Sequence, residues 1–155
     1  MFKKSLKLTI TTAATLSLLA QAGIAAPVKQ VITHALTTEP PQMDGTKATD
    51  TESNFILGHL MEGLTRQGKD GRPAPGVAEK WEINDKTATF HLRKNAKWSD
   101  GKPVTAKDFI FAWRTVLDPK TASEYAFIMY PMKNAEAINA KKMPVTELGA
   151  EAVDD

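Results

Sequence analysis

Three histidines, three tryptophans, dispersed carboxylates and a few hydroxyls are the groups in this 155-residue chain that could do chemistry. His34, His59 and His91 fit no metal-ligand spacing, and none belongs to an HExxH pair. His59 and Glu62 stand at i and i+3 in HLMEG, which reads as a solvated helix face. There is no G-x-S-x-G elbow, phosphate-binding loop or dinucleotide glycine pattern. No carboxylate has an identifiable apolar surround that would raise its pKa. With no cysteine there is no disulfide, thiolate metal site or thiol nucleophile. The residues therefore predict no catalytic group, no metal and no cofactor. Trp81, Trp98 and Trp113 read as core or corner residues, with Trp98 covering a hairpin end. Tyr125 carries a hydroxyl that needs a partner if buried and could otherwise face a ligand. Binding is favoured over catalysis by elimination.

The elements that would position these groups centre on residues 89–113, TFHLRKNAKWSDGKPVTAKDFIFAW. Ala88, Phe90 and Leu92 alternate with Thr89, His91 and Arg93, the period of a half-buried strand. Ser99-Asp100-Gly101 is a turn. Thr105 with Asp108 then starts a capped helix, whose apolar face is Phe109, Ile110, Trp113, Val116 and Leu117 and which Pro119 ends. Trp81 and Ile83 begin a strand that pairs with residues 87–93 through Asn84-Asp85-Lys86. Upstream, residues 28–36 predict a first strand, 37–45 a loop, and 46–64 a helix capped by Thr51 or Ser53 and ending near Gly63. Residues 67–75 read as a turn-rich connection and 76–80 as a helical turn. Downstream, 122–130 and 134–141 predict short helices, and 144–152 a helical turn capped by Thr146. The fold class is α+β, mixed, without internal repeats.

The first 26 residues read as a secretory signal peptide: Lys3, Lys4 and Lys7, an apolar run from Leu8 to Ala20, and small residues around Ala25 and Ala26. A membrane anchor is the alternative, but spanning needs about 20 strongly apolar residues, and Thr, Ser and Gln break this run. Removing the signal leaves 17 basic against 18 acidic residues, so the formal +2 becomes −1. No basic stripe remains for nucleic acid. Nor is there a cysteine for lipidation at the cleavage point, so a soluble, non-lipidated periplasmic protein is expected. Residues 27–155 form one small domain.

GVAEKW (76–81), residues 89–109 and DPKTAS (118–123) resemble the signature region of the periplasmic oligopeptide-binding proteins, within the solute-binding family of peptide and nickel ABC transporters. TDTESN (49–54), EGL (62–64) and LGAEAVDD (148–155) fall in the order that family shows. The resemblance implies the N-terminal part of lobe 1 of a two-lobed periplasmic-binding-protein-like fold, present here incompletely. It implies an oligopeptide held by backbone pairing and lobe closure recognised by an inner-membrane ABC permease, with the protein acting as a monomer. Residue by residue, Thr49, Asp50 and Thr51 match the segment whose backbone contacts the peptide, although enteric members carry a Glu-Gly-Val-like run there. Tyr125 matches a cleft tyrosine. Arg93 and the WSDG turn match as structural signature residues. The family's acidic partner for the peptide amino group has no counterpart in this sequence. Dipeptide, murein peptide, nickel or haem carriage are alternatives within the family. A periplasmic enzyme, or a truncated, non-functional remnant that aggregates through uncovered edges, are alternatives outside it.

Overall fold

The computed structural model describes residues 31–153, so the proposed signal peptide, residues 27–30 and Asp154–Asp155 lie outside the described residues. The chain divides into residues 1–35 and 36–155. Of the first unit, residues 31–35 are described; they are exposed and form no strand. The expected first strand is therefore not formed over 31–36, despite its β-branched content. A strand exists by virtue of its ladder, and no strand of the described residues pairs with this segment.

In the second unit the element order is α1 (Thr51–Leu60), β1 (Thr65–Gln67), β2 (Pro73–Pro75), β3 (Ala78–Ile83), β4 (Ala88–Leu92), α2 (Ala106–Leu117) and α3 (Ala135–Asn139). Turns of 3-10 helix cover Ala126–Met129 and Val145–Glu147. β1 pairs with β2 and β3 with β4, both antiparallel, giving a mixed α+β arrangement. The β1–β2 hairpin was not expected in the turn-rich connection; three-residue strands bounded by prolines carry too little alternation to show. Residues 78–80 are strand rather than helical turn. Ala78 pairs with Leu92 and Lys80 with His91, and this ladder overrides the local helix preference of Ala-Glu-Lys. On the other side the carbonyls of Gly63 and Leu64 take the amides of Val77 and Ala78, both at 2.9 Å. Gly76 permits this approach, since a Cβ there would lie 2.5 Å from the Gly63 carbonyl oxygen.

β3 and β4 pair from Ile83↔Ala88 to Ala78↔Leu92, with a bulge between Ala78 and Lys80. The Arg93 amide continues the ladder to the Val77 carbonyl at 2.9 Å, and its guanidinium forms an ion pair with Glu62. Glu62 is thus committed to Arg93, not to a shared face with His59. The turn that follows closes through Gly101 N–H to Trp98 C=O (2.9 Å), with Gly101 at φ 87°, where an L side chain is strained. Asp100 accepts from the Lys102 amide at 3.0 Å.

Helix α2 starts where Thr105 and Asp108 predict. The Asp108 carboxylate accepts the Thr105 amide at 2.8 Å and the Trp98 indole N–H at 3.4 Å. Trp98 therefore flanks the turn and also reaches, half exposed, the helix N-terminus. The Thr105 amide first, and the Thr105 and Trp98 side chains with it, hold the Asp108 carboxyl below its usual range. A lowered folded-state pKa adds stability that is complete above the unfolded value near 3.9 and is lost as pH falls through the folded value. Asp108→Ala is expected to cost about 0.3–1.5 kcal/mol, seen as a midpoint several degrees lower in far-UV circular dichroism melts at pH 7. The difference from the parent should shrink on acidification below about pH 4; a constant difference down to about pH 2 argues against the cap.

The core lies at the C-terminal end of the sequence. Leu117, Ala126, Ala135, Ile138 and Leu148 are buried together, with Trp113, Val116, Met129, Met132 and Met143 packed on them. Helices were expected over 122–130 and 134–141; the structure keeps short helical pieces at 126–129 and 135–139, broken by Pro131 and by Asn134 at φ 69°. The later turn spans Val145–Glu147 and is preceded by Pro144, so Thr146 lies inside it and does not cap it.

Candidate peptide-binding edge

Thr49, Asp50 and Thr51 lie where a tight loop enters α1. Asp44 builds the loop: its carboxylate accepts the Thr46 amide (2.9 Å) and hydroxyl (2.7 Å), and its carbonyl takes the amides of Lys47 and Ala48. Ala48 is buried, while Thr49 and Thr51 are exposed.

The cap of α1 is Asp50, not Thr51 or Ser53. Its carboxylate accepts the Ser53 amide at 2.8 Å, and bonds from the Ser53 amide and then its hydroxyl hold it below the usual carboxylate range. Ser53 is fully buried, and its hydroxyl also accepts the Gln42 amide at 3.2 Å. The helix closes at Met61, whose amide donates to Leu57, so Gly63 belongs to the following extended segment. The Asp50 side chain therefore has a structural task, and its carbonyl is engaged as well, by the Asn54 amide at 3.1 Å and the Asn54 side-chain nitrogen at 2.8 Å.

Tyr125 joins this loop from across the chain. Its hydroxyl donates to the Thr49 carbonyl at 3.1 Å, a bond between residues 76 apart in sequence. A carbonyl has two lone pairs, so Thr49 keeps acceptor capacity after this bond. The Tyr125 ring meets Phe127 edge to face, with centroids 6.0 Å apart and planes at 89°. Phe127 and Ile128 are exposed, whereas Ala126 is buried and Met129 packs on the core. Phe127 carries no site signature in the sequence taken alone. The 3-10 period in AFIM, which sends Ala126 and Met129 inward together, is the signal that would have marked it.

The other candidates disperse. His59 bonds the Phe55 carbonyl at 2.8 Å and its ring lies tilted by 47° to that of Phe55 with centroids 4.5 Å apart, and His91 lies 3.6 Å from Glu82 on the hairpin. Among the described residues no group of three histidine, cysteine, aspartate or glutamate side chains could hold a metal ion. Surface grooves beside α2 and beside Asp118–Pro119 are not lined by Thr49, Asp50, Thr51 or Tyr125. No helix among the described residues is long and apolar enough to cross a membrane.

The arrangement has close counterparts among known proteins. Residues 72–155 match the model of the bacterial extracellular solute-binding proteins, family 5, middle region. The chain is 44% identical over 137 residues to the periplasmic oligopeptide-binding protein OppA of Salmonella typhimurium, covering 86% of this chain and 25% of that protein. It is 41% identical to the periplasmic murein peptide-binding protein MppA of Escherichia coli, covering 81% and 24% of the two chains. Among solved structures, the substrate-binding domain of an oligopeptide ABC transporter from Bacillus anthracis superposes with a TM-score of 0.76 at 55% identity. That match covers 79% of this chain and 24% of that one. Haemophilus influenzae OppA in complex with RPPGFSPFR superposes at 0.71 and 45% identity, covering 76% and 24%. The chain thus spans about a quarter of the length of the relatives it matches, and its helices and strands form part of the architecture of periplasmic peptide-binding proteins. By sequence and by structure, it belongs to the bacterial extracellular solute-binding proteins of family 5.

Proposed function

We propose that this chain is the N-terminal portion of an oligopeptide-binding component of an ABC importer. In this reading the chain acts in the periplasm as a soluble, non-lipidated monomer after removal of residues 1–26. The backbone of Thr49, Asp50 and Thr51 pairs with the peptide main chain, and Tyr125 borders the same edge. Every peptide offers the same main-chain donors and acceptors, so such pairing serves many sequences. Bridging water adapts the rest of the site to different side chains. The bound, closed form is what a membrane permease would take up. No step of chemistry is assigned: the role is capture and delivery. The observation that carries the reading is the Tyr125–Thr49 bond, which brings together two segments that the resemblance assigns independently to the ligand.

Calorimetry with mixed tri- to pentapeptides tests the reading. Saturable heat with peptides supports it, whereas heat with Ni²⁺ or haem and none with peptides overturns it in favour of another cargo of the family. Tyr125→Phe removes the hydroxyl and leaves the ring. It is expected to weaken peptide binding about five- to tenfold, roughly the ~1 kcal/mol of one hydrogen bond, while the circular dichroism spectrum stays that of the parent. An unchanged affinity would mean that the Tyr125–Thr49 bond does not position the binding edge.

A further inference from the structure

Beyond a tolerant backbone edge, we infer that Phe127, with Ile128 beside it, gives the peptide site a preference for one large apolar or aromatic ligand side chain. The inference rests on the peptide reading above. The Tyr125 hydroxyl is committed to the Thr49 carbonyl, so what Tyr125 shows outward is its ring, 42% exposed. Phe127 extends that surface by its edge-to-face contact and is 57% exposed, and Ile128 is 61% exposed. In the same 3-10 turn Ala126 and Met129, three apart, share the face that meets the core, which leaves Phe127 and Ile128 on the outer side. The result is an apolar step whose inner end is tied to Thr49, the residue at which the ligand main chain would pair. A peptide strand projects successive side chains to opposite faces. One of them would fall on the step when its backbone is paired at Thr49–Thr51. No charged side chain makes the step, so the complementary group is apolar, and an aromatic ring gains the edge-to-face geometry besides burial.

The test uses the full chain, titrated with trialanine and with the three tripeptides in which one alanine is replaced by phenylalanine. One phenylalanyl peptide should bind about tenfold more tightly than trialanine. In Phe127→Ala that advantage should fall below about twofold, and Phe127→Leu should retain an intermediate one. An advantage that survives intact in Phe127→Ala, or no favoured position in the parent, overturns the inference and leaves the peptide reading standing. Failure of the parent to bind any of the four peptides overturns the peptide reading, and the inference with it. Circular dichroism and unfolding midpoints like those of the parent are expected for both variants, because Phe127 is exposed. If Phe127→Ala does not fold, the Phe127→Leu ratio decides: an undiminished preference counts against the step.

Discussion

Leu117→Ala is expected to lower the unfolding free energy by about 2–5 kcal/mol. Leu117 is 0% exposed and carries the end of α2 into the cluster it shares with Ala126, Ala135, Ile138 and Leu148. Truncation removes apolar contact and leaves a void, and two causes limit relaxation around it. Pro119 fixes the chain just past the helix end. The Leu117 carbonyl accepts from the Asn139 amide nitrogen at 3.2 Å, and Asn139 in turn accepts from the Tyr130 hydroxyl at 2.9 Å. Small domains hold only about 5–15 kcal/mol in total, so this variant should sit close to its unfolding transition at 25 °C. Urea unfolding followed by tryptophan fluorescence reads the change, with Trp113 packed on the same cluster as reporter. Phe111→Ala on the outer face of α2, 73% exposed, should change stability by about 0.5 kcal/mol or less. Equal losses at the two positions would falsify the placement of the core.

Gly76→Val should come next, at roughly 2–5 kcal/mol from overpacking and lost ladder bonds. The added Cβ would stand 2.5 Å from the Gly63 carbonyl oxygen and 3.0 Å from that of Leu64, both backbone atoms that no rotamer change can move aside. Relief requires residues 63–65 to withdraw. That breaks three bonds, from the amides of Gly76 and Ala78 to Leu64 and from Val77 to Gly63. Gly101→Ala makes an instructive contrast. A Cβ there meets nothing within 4 Å, but φ is +87°, so the cost is that of backbone strain, about 1–2 kcal/mol. Hydrogen exchange separates the two. Gly76→Val should expose the Val77 and Ala78 amides, and Gly101→Ala should leave them protected. Protection at Val77 and Ala78 in Gly76→Val would mean that the approach of the two segments is not what the glycine serves.

How much of this was legible in the sequence depended on how far apart the interacting residues lie. The strand, turn and helix between Thr89 and Leu117 were legible because each signal is local: alternation, a positive-φ glycine, a threonine with an aspartate three residues on. The cap of α1 was a choice among Asp50, Thr51 and Ser53, all able to cap. It was settled by burial of Ser53 against the Gln42 amide, which no local pattern reveals. Residues 78–80 and 31–36 failed in opposite directions. Helix-favouring Ala-Glu-Lys became strand because partners at 91–92 were present, and β-branched Val-Ile-Thr stayed outside any ladder among the described residues because none was. The candidate site was legible only through resemblance. Nothing in the types of Thr49 and Tyr125 says that they touch.

The bond between those two residues also bears on how the molecule comes apart. An exposed hydrogen bond contributes about 0.5–1.5 kcal/mol net, whereas opening the Leu117 cluster costs far more. Release of Tyr125 from Thr49 is therefore a frequent local event that leaves the core assembled. Closing it again means restoring a loop of 76 residues, but with the core still folded that loop stays short in space. The edge at Thr49 can thus breathe on its own timescale while the domain beneath it remains native. A ligand that holds the latch shut would quiet that motion without having to stabilise the core.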